Sequence, residues 1–433
     1  MMTPLMVALA FVFFLIFIAF EIPVVFAMGL GGIITLLIYG KLPLDILPQR
    51  IFVALDSFPI LAIPLFVFVG QSMNSSGITD RIYRFALSIV GHIQGGLAHV
   101  NIVGSVIFAG MSGSAVADAS GLGQVEIKAM IDEGYEPDFT AAVTAASATV
   151  GPIIPPSIPF VVYGCMAETS IGRLFLGGVI PGLIMSLFMM IYVYFVALRR
   201  GYPKGESPSL RKIAKTFIEA FPALFTPVLM VGGIVSGIFS PTEGAGVTAV
   251  YSLFLGFVVY KTLTLKDFYN NLVQTARSSA AILLIIGVAS IYAWFVSTAQ
   301  IPKMVTSALL GYTQSKILVL LLINIVLLIA GCFMESMAIM LVGLPILLPI
   351  ISQIGVDSVH FGVMMTLNLM IGLITPPVGL LLYICSRSAN ITVNQLVKEV
   401  TPFLIPLIGS LIFMTYIPSI TLWLPNLIMG TAK

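Results

Sequence analysis

Apolar runs separated by short polar, glycine-rich or proline-rich breaks fill the chain from end to end. Residues 1–40 are almost unbroken apolar sequence, interrupted at Glu21-Ile22-Pro23. A membrane helix needs about 20 residues, so this stretch predicts two spans joined by a tight turn. It lacks a basic leader and a small-residue cleavage site, and is expected to be retained rather than removed as a signal peptide. Residues 41–56 read as a polar connector. Residues 57–74 read as a third span, with Pro59 and Pro64 in its first half. Residues 77–92, GITDRIYRFALSIVGH, set charged and apolar positions at helical spacing, which predicts an amphipathic arm lying along the membrane surface.

The next two stretches break the pattern. In residues 95–130 the apolar run 97–109 is too short to cross, and it stops at Gly110-Met111-Ser112-Gly113-Ser114. A small-residue helix follows from Ala115 and becomes charged at Glu126. Short helix, Gly/Ser tip and short helix predict a re-entrant hairpin, whose tip must line protein or a water-filled cavity. Residues 138–164 start as a small-residue helix and meet Pro152, Pro155 and Pro156, which remove backbone donors and end it. Carbonyls freed there, beside Ser147, Thr149 and Ser157, suit a dehydrated cation. A charged turn with Glu168 and Arg173 leads to a span over 174–198.

The pattern then recurs. A shift of 221 positions carries Gly151, Ile153, Pro155, Pro156 and Pro181 onto Gly372, Ile374, Pro376, Pro377 and Pro402. The same shift carries Ala109-Gly110 onto Ala330-Gly331 and Ser57 onto Ser278. The expected organisation is therefore repeat one over 1–200, a basic cytoplasmic linker over 201–220, and repeat two over 221–433. Repeat two has spans at 221–239, 244–260 and 278–297 and an amphipathic arm at 301–316. Its hairpin covers 318–351, its broken helix 361–385 and its last span 402–422. About five crossings per repeat, an odd number, would turn the second repeat upside down relative to the first. The predicted fold class is an all-α polytopic membrane protein of two inverted-topology repeats. Matched Gly/Pro breaks in two halves point to a transport site.

Composition agrees. The 433 residues are 59% hydrophobic and 9% charged, against about 25% charged in soluble domains. A net charge of +2 gives no reason to expect nucleic acid as a partner. Cys165, Cys332 and Cys385 lack metal or redox spacing and read as small hydrophobes. Of the 20 Lys and Arg, 14 fall on the face holding the 199–215 loop and 6, Lys433 among them, on the other. The positive-inside rule places the first face in the cytoplasm and both termini outside.

Two hairpin tips and two broken helices are expected to meet at mid-membrane depth. Helix N-termini there favour an anionic substrate, and freed carbonyls and hydroxyls favour Na⁺. One cation site is expected from Ser112, Gly113 and Ser114 with Gly151, Pro155 and Pro156. Its mate would use Glu335 and Ser336 with the 372–377 loop, through Gly372, Thr375, Pro376 and Pro377. Ser114, Asp118, Glu335 and Ser336 are the candidate substrate contacts. For Asp118 and Glu335 an ion ligand, a proton carrier and a structural hydrogen bond all stay open. For the tip serines, interhelical packing is the alternative. Glu243 in Ser240-Pro241-Thr242-Glu243 reads as a cap, His92, His99 and His360 are scattered singly, and Arg387 reads as a snorkelling side chain. No hydrolase triad, HExxH or Walker motif occurs, so the driving force must be an ion gradient or another subunit, and no enzyme activity is expected.

At GMSGSAVADASGLG (residues 110–123), GYEPDFTAAVTAASATVGPIIPPS (134–157), FSPTEGAGV (239–247) and GLITPPVG (372–379) the chain resembles the large membrane subunit of TRAP transporters, the DctM/SiaM family. The resemblance covers essentially the whole length. It implies an elevator-type Na⁺ symporter in the bacterial inner membrane, fed by a periplasmic substrate-binding protein and paired with a separate small four-helix membrane subunit. It implies carboxylate substrates such as C4-dicarboxylates or sialic acid, and no organic cofactor. The fold is also similar to stand-alone Na⁺-coupled citrate and dicarboxylate carriers. A membrane-embedded enzyme using Asp118 and Glu335 as an acid pair, and a passive channel, are rivals of other classes.

Overall fold

The computed structural model describes residues 3–205 and 207–431, so Met1 and Lys433, the expected ends of the two repeats, lie outside the described residues. Among the described residues the chain is all helical, with one isolated bridge between Gln94 and Lys204. Seven helical stretches among the described residues are at least 18 residues long and apolar enough to cross a membrane.

The opening apolar run forms Pro4–Ala19 and Val24–Tyr39, each of 16 residues, parted where Glu21 takes a positive φ ahead of Pro23. At 1.5 Å per residue each is about 24 Å long, slightly under a hydrocarbon core of about 30 Å. Small residues let these helices approach their neighbours. A Cβ on Gly31 would stand 2.5 Å from the Tyr292 hydroxyl and 3.3 Å from the Ala10 carbonyl oxygen. Tyr292 fills that space and donates to the same Ala10 oxygen at 3.2 Å.

Three expectations need correction. The connector at 41–56 holds a helix, Ile46–Leu55. Pro59 forces a fresh start after Asp56, through a 3-10 turn, Phe58–Leu61, into Ala62–Ser75. The matched positions of the second half read Ser278-Ser279-Ala280, with no proline, and there Leu265–Thr298 runs unbroken for 34 residues. The expected linker 201–220 ends at Ser209. Ile213, Phe217 and Ala220 recur at helical spacing and wind the basic segment into one helix, Leu210–Val235. The last span, expected over 402–422, begins at Val393–Val400, continues in Leu404–Tyr416 and is broken by Pro418 before Ser419–Met429. The amphipathic arms form as Ile78–Val90 and Ile301–Tyr312.

Polar contacts between distant helices sort the elements into two groups. In the first, Thr242 Oγ1 donates to Phe58 O at 2.9 Å and Asn271 Nδ2 to Ser75 Oγ at 2.6 Å. Thr262 Oγ1 donates to Ser76 O at 2.7 Å, and Ser88 meets Thr216 at 2.9 Å. These join the early spans and the first arm of both halves. In the second group, Tyr163 donates to Ser358 O at 2.8 Å and Arg173 to Gly430 O at 2.6 Å. Between the groups some approaches are through small residues, a Cβ on Gly70 lying 3.4 Å from Ser112 Cα and one on Gly110 3.0 Å from Pro227 Cγ, while Phe66 meets Phe175 edge-on with ring centroids 6.4 Å apart. The chain passes from the first group to the second at 91–95 and returns at 201–209. Those two connections clasp each other, Gly95 N donating to Pro203 O at 3.2 Å and Gly205 N to Gly91 O at 3.0 Å.

Arg200 sits in the second group, forked on Glu399 at 2.8 and 3.0 Å and 3.6 Å from Glu136. Its side chain is 32% exposed, so solvent screens the attraction. A double-mutant cycle of Arg200→Met with Glu399→Gln, read from thermal midpoints in detergent, is expected to give a coupling of no more than about 1 kcal/mol. A coupling several times larger would mean that the pair holds the group together.

Candidate functional site

The first hairpin is built from Gly96–Ser112, a left-handed Gly113 and the limbs Ala115–Ser120 and Leu122–Asp132. Ser114 caps the tip, its hydroxyl accepting from Ala117 N at 3.4 Å. The first broken helix is Pro137–Ala148, a turn, and Ile158–Met166, whose start is capped by Ser157 at 3.2 Å from Phe160 N. The tip docks on that turn. Ile158 N donates to Gly113 O at 3.4 Å, and a Cβ on Gly113 would stand 2.5 Å from Pro156 O. Only glycine meets both the φ of +60° and that approach.

The second hairpin, Lys316–Gly331 and Ser336–Gln353, docks in the same way on Ser358–Gly372 and Leu380–Ser388. Val378 N donates to Cys332 O at 3.2 Å, and Ser336 Oγ to Leu369 O at 3.4 Å. Here the cap is charged: the Glu335 carboxylate accepts from Met337 N at 2.8 Å and Ala338 N at 3.1 Å. Both turns contain a cis proline bond, Pro155-Pro156 and Pro376-Pro377. The halves also cross, Leu380–Ser388 packing on Ala115–Ser120 and Ile158–Met166 on Ser336–Gln353.

A cavity of about 480 Å³ lies where these pieces meet. Ser112, Gly113 and Ser114 line it from one tip, and Glu335, Ser336 and Met337 from the other. Pro152, Ile158 and Pro159 of the first broken helix and Met370, Leu373 and Leu380 of the second complete that wall. The opposite wall comes from the first group of helices, through Gln71 and Asn74 of Ala62–Ser75 and Gln274 and Ser278 of Leu265–Thr298. Among the described lining residues Glu335 is the one carboxylate, and none is Lys, Arg or His.

Of the residues singled out from the sequence, Ser112, Gly113, Ser114, Glu335 and Ser336 are thus brought to one cavity. Gly151, Pro155 and Pro156 are buried behind the first tip. Gly372, Thr375, Pro376 and Pro377 stand behind the second, and Thr375 Oγ1 donates to Ile371 O at 2.7 Å. Asp118 is 1% exposed and does not line the cavity, so the cavity does not hold it together with Glu335 as an acid pair. It lies inside the first hairpin with Glu126, also 1% exposed, and neither carboxyl has a hydrogen-bond partner among the described residues. A Cβ on Gly104 would stand 2.5 Å from Glu126 Oε1, so that glycine makes room for the carboxyl. Arg387 is exposed and outside the cavity lining. Glu243 and Ser240 form a capping box at 2.8 and 3.3 Å, as expected. His360 bonds Thr421 at 2.8 Å and Thr415 O at 3.2 Å and does not line the cavity, and the three cysteines are free thiols.

Sequence reasoning missed Glu126 and the wall formed by Gln71, Asn74, Gln274 and Ser278. The signal was present. Gln71 and Asn74 are three apart, and Gln274 and Ser278 four apart, so each pair shares one helix face. It also missed a polar pair that recurs between hairpin and broken helix. Ser147 donates to Asn101 Oδ1 at 2.6 Å in one half, and Asn368 to Asn324 Oδ1 at 2.8 Å in the other.

Known proteins are similar to this chain in sequence and in fold. The family model described as "Tripartite ATP-independent periplasmic transporter, DctM component" matches residues 11–420. The sialic acid TRAP transporter large permease protein SiaM of Vibrio cholerae is 46% identical over 408 residues, 94% of this chain and 96% of that protein. The C4-dicarboxylate TRAP transporter large permease protein DctM of Pseudomonas aeruginosa is 38% identical over 400 residues, 92% of this chain and 94% of its own length. In fold, the chain is similar to the YdaH transporter of Alcanivorax borkumensis, with a TM-score of 0.63 at 14% identity over 88% of each chain. With a matched family model over nearly its full length and large-permease relatives at this identity, the chain belongs to the DctM component family of tripartite ATP-independent periplasmic transporters.

Proposed function

We propose that this chain is the large permease of a Na⁺-driven, binding-protein-dependent uptake system for an organic acid, sialic acid or a C4-dicarboxylate. The observation that carries the reading is the cavity between the hairpin tips, with one carboxylate and no cationic side chain among its described lining residues. A carboxylate substrate about 4 Å from Glu335 would meet roughly 4 kcal/mol of repulsion at an effective dielectric near 20. A co-bound cation removes that cost, which ties substrate entry to Na⁺. Ser112, Gly113 and Ser114 with the 151–156 turn, and Ser336 with the 372–377 turn, are the residues that would hold it.

The two groups of bonded helices support an elevator movement. The early spans and arms would stay fixed while hairpins and broken helices carry the cargo past them, across a boundary where Gly70 and Gly110 make close approaches. The distribution of Lys and Arg supports an inner-membrane orientation with both termini periplasmic. A small four-helix subunit and a periplasmic binding protein are the partners this reading requires, alongside the lipid bilayer.

Reconstitution tests it. In proteoliposomes with an inward sodium gradient, uptake is expected from the chain together with its small subunit and binding protein, and not from the chain alone. Robust uptake by the chain alone would instead make it a stand-alone citrate-type carrier. Flux without a sodium gradient would make it a channel.

A further inference from the structure

The cavity's second wall has no role in the reading above. It belongs to helices that carry neither hairpin nor broken helix, Gln71 interrupting the apolar face of Ala62–Ser75 and Gln274 lying in the polar first third of Leu265–Thr298. The C-terminal end of Ala62–Ser75 crosses the first third of Leu265–Thr298, held by the Asn271–Ser75 bond of 2.6 Å. Asn74 is partly used, its Oδ1 accepting from Thr79 at 3.0 Å. Gln71 is half-buried and Gln274 exposed, both line the cavity, and their amides have no protein hydrogen-bond partner among the described residues, so they are open to water or to a solute in the cavity.

An uncharged amide presents a carbonyl acceptor and two N–H donors side by side. It matches a hydroxyl, which both donates and accepts, and adds nothing to the charge balance that a carboxylate and Na⁺ already set. A cavity of about 480 Å³ also falls within the roughly 300–1,000 Å³ of small-molecule sites. A four-carbon diacid would leave much of it to water. We propose that Gln71 and Gln274 are specificity-determining residues that read the hydroxyl groups of a polyhydroxylated organic acid held between the hairpin tips. This rests on the transport reading above and narrows it to sugar acids over bare dicarboxylates.

The test measures binding to the purified full-length chain in detergent with sodium present, so that no binding protein contributes. Sialic acid and succinate are the two probes, and thermal stabilisation is the readout. The unaltered chain is expected to bind sialic acid at least tenfold more tightly than succinate. The Gln71→Leu/Gln274→Leu pair is expected to lose at least tenfold more affinity for sialic acid than for succinate, while keeping its stabilisation by sodium alone. Should the double variant fail to fold, judged by its response to sodium, the Gln71→Asn/Gln274→Asn pair replaces it, with a loss of at least threefold expected. Equal affinity in variant and unaltered chain, or equal binding of the two probes by the unaltered chain, overturns the proposal. Reconstituted uptake by the unaltered complex is measured in parallel. Absent uptake there sinks the transport reading, whereas normal uptake with unaffected variants sinks only the role of the two amides.

Discussion

Alanine at Gly372 is expected to cut the proposed sodium-driven uptake at least tenfold, while alanine at Gly151 leaves it within about threefold, although the two glycines match under the 221-residue shift. The difference lies in what a methyl group meets. At Gly372 it would stand 2.8 Å from Gly331 Cα and 3.0 Å from the Gly331 carbonyl carbon and oxygen. All three are backbone atoms, with no side chain to swing away, so the second tip must move off its broken helix. Displacements near 1 Å at a positioned site cost on the order of a hundredfold in rate. At Gly151 the methyl group would meet Ala148 O at 3.3 Å and the Ser114 carbonyl at 3.6 Å, which a small adjustment relieves. Initial uptake rates in proteoliposomes, normalised to reconstituted protein, decide the matter. Equal rates would mean that close packing of the second tip is not what the cavity depends on.

Glu335→Ala is expected to raise the sodium concentration for half-maximal uptake at least tenfold and also to destabilise the chain. Two effects are combined, and Glu335→Gln separates them. The carboxylate caps two backbone N–H groups, and loss of such a cap costs about 0.5–2 kcal/mol. Glutamine keeps an acceptor for those donors and removes the charge. Under the proposed coupling, Glu335→Gln loses sodium affinity while keeping most of the thermal stability. If it keeps normal sodium affinity and only the alanine variant is impaired, Glu335 is a cap and nothing more.

Much of this was legible in the sequence because lipid leaves the backbone few options. A Gly/Ser tip or a cluster of prolines inside an apolar run marked each hairpin and broken helix, whereas single prolines such as Pro181 and Pro227 sit inside continuous helices, and the run lengths located most of the helices. Ser112, Gly113, Ser114, Glu335 and Ser336 were found that way. The fate of residues 210–220 was less visible, since Lys and Arg masked an amphipathic helix continuous with its span. Burial of Glu126 depends on Gly104 of a different limb, a long-range fit that no local pattern carries. The cavity wall at Gln71 and Gln274 was missed because glutamine in a span reads as an isolated polar residue until two crossing helices bring such residues together.

The unbroken helix Leu265–Thr298 has a consequence for how the molecule sits at the edge of the lipid. Its 34 residues are about 51 Å long, well beyond a hydrocarbon layer of about 30 Å. The charged residues Lys266, Asp267 and Arg277 all lie in its first 13 residues, and the remainder, from Ser278 on, is about 31 Å long. Set at that depth, the helix fills the layer from Ser278 to Thr298 and stands about 20 Å into the headgroups and water. Gln274 and Ser278 would then stand at the edge of the layer, and a solute reaching the cavity along that wall would meet polar side chains rather than acyl chains.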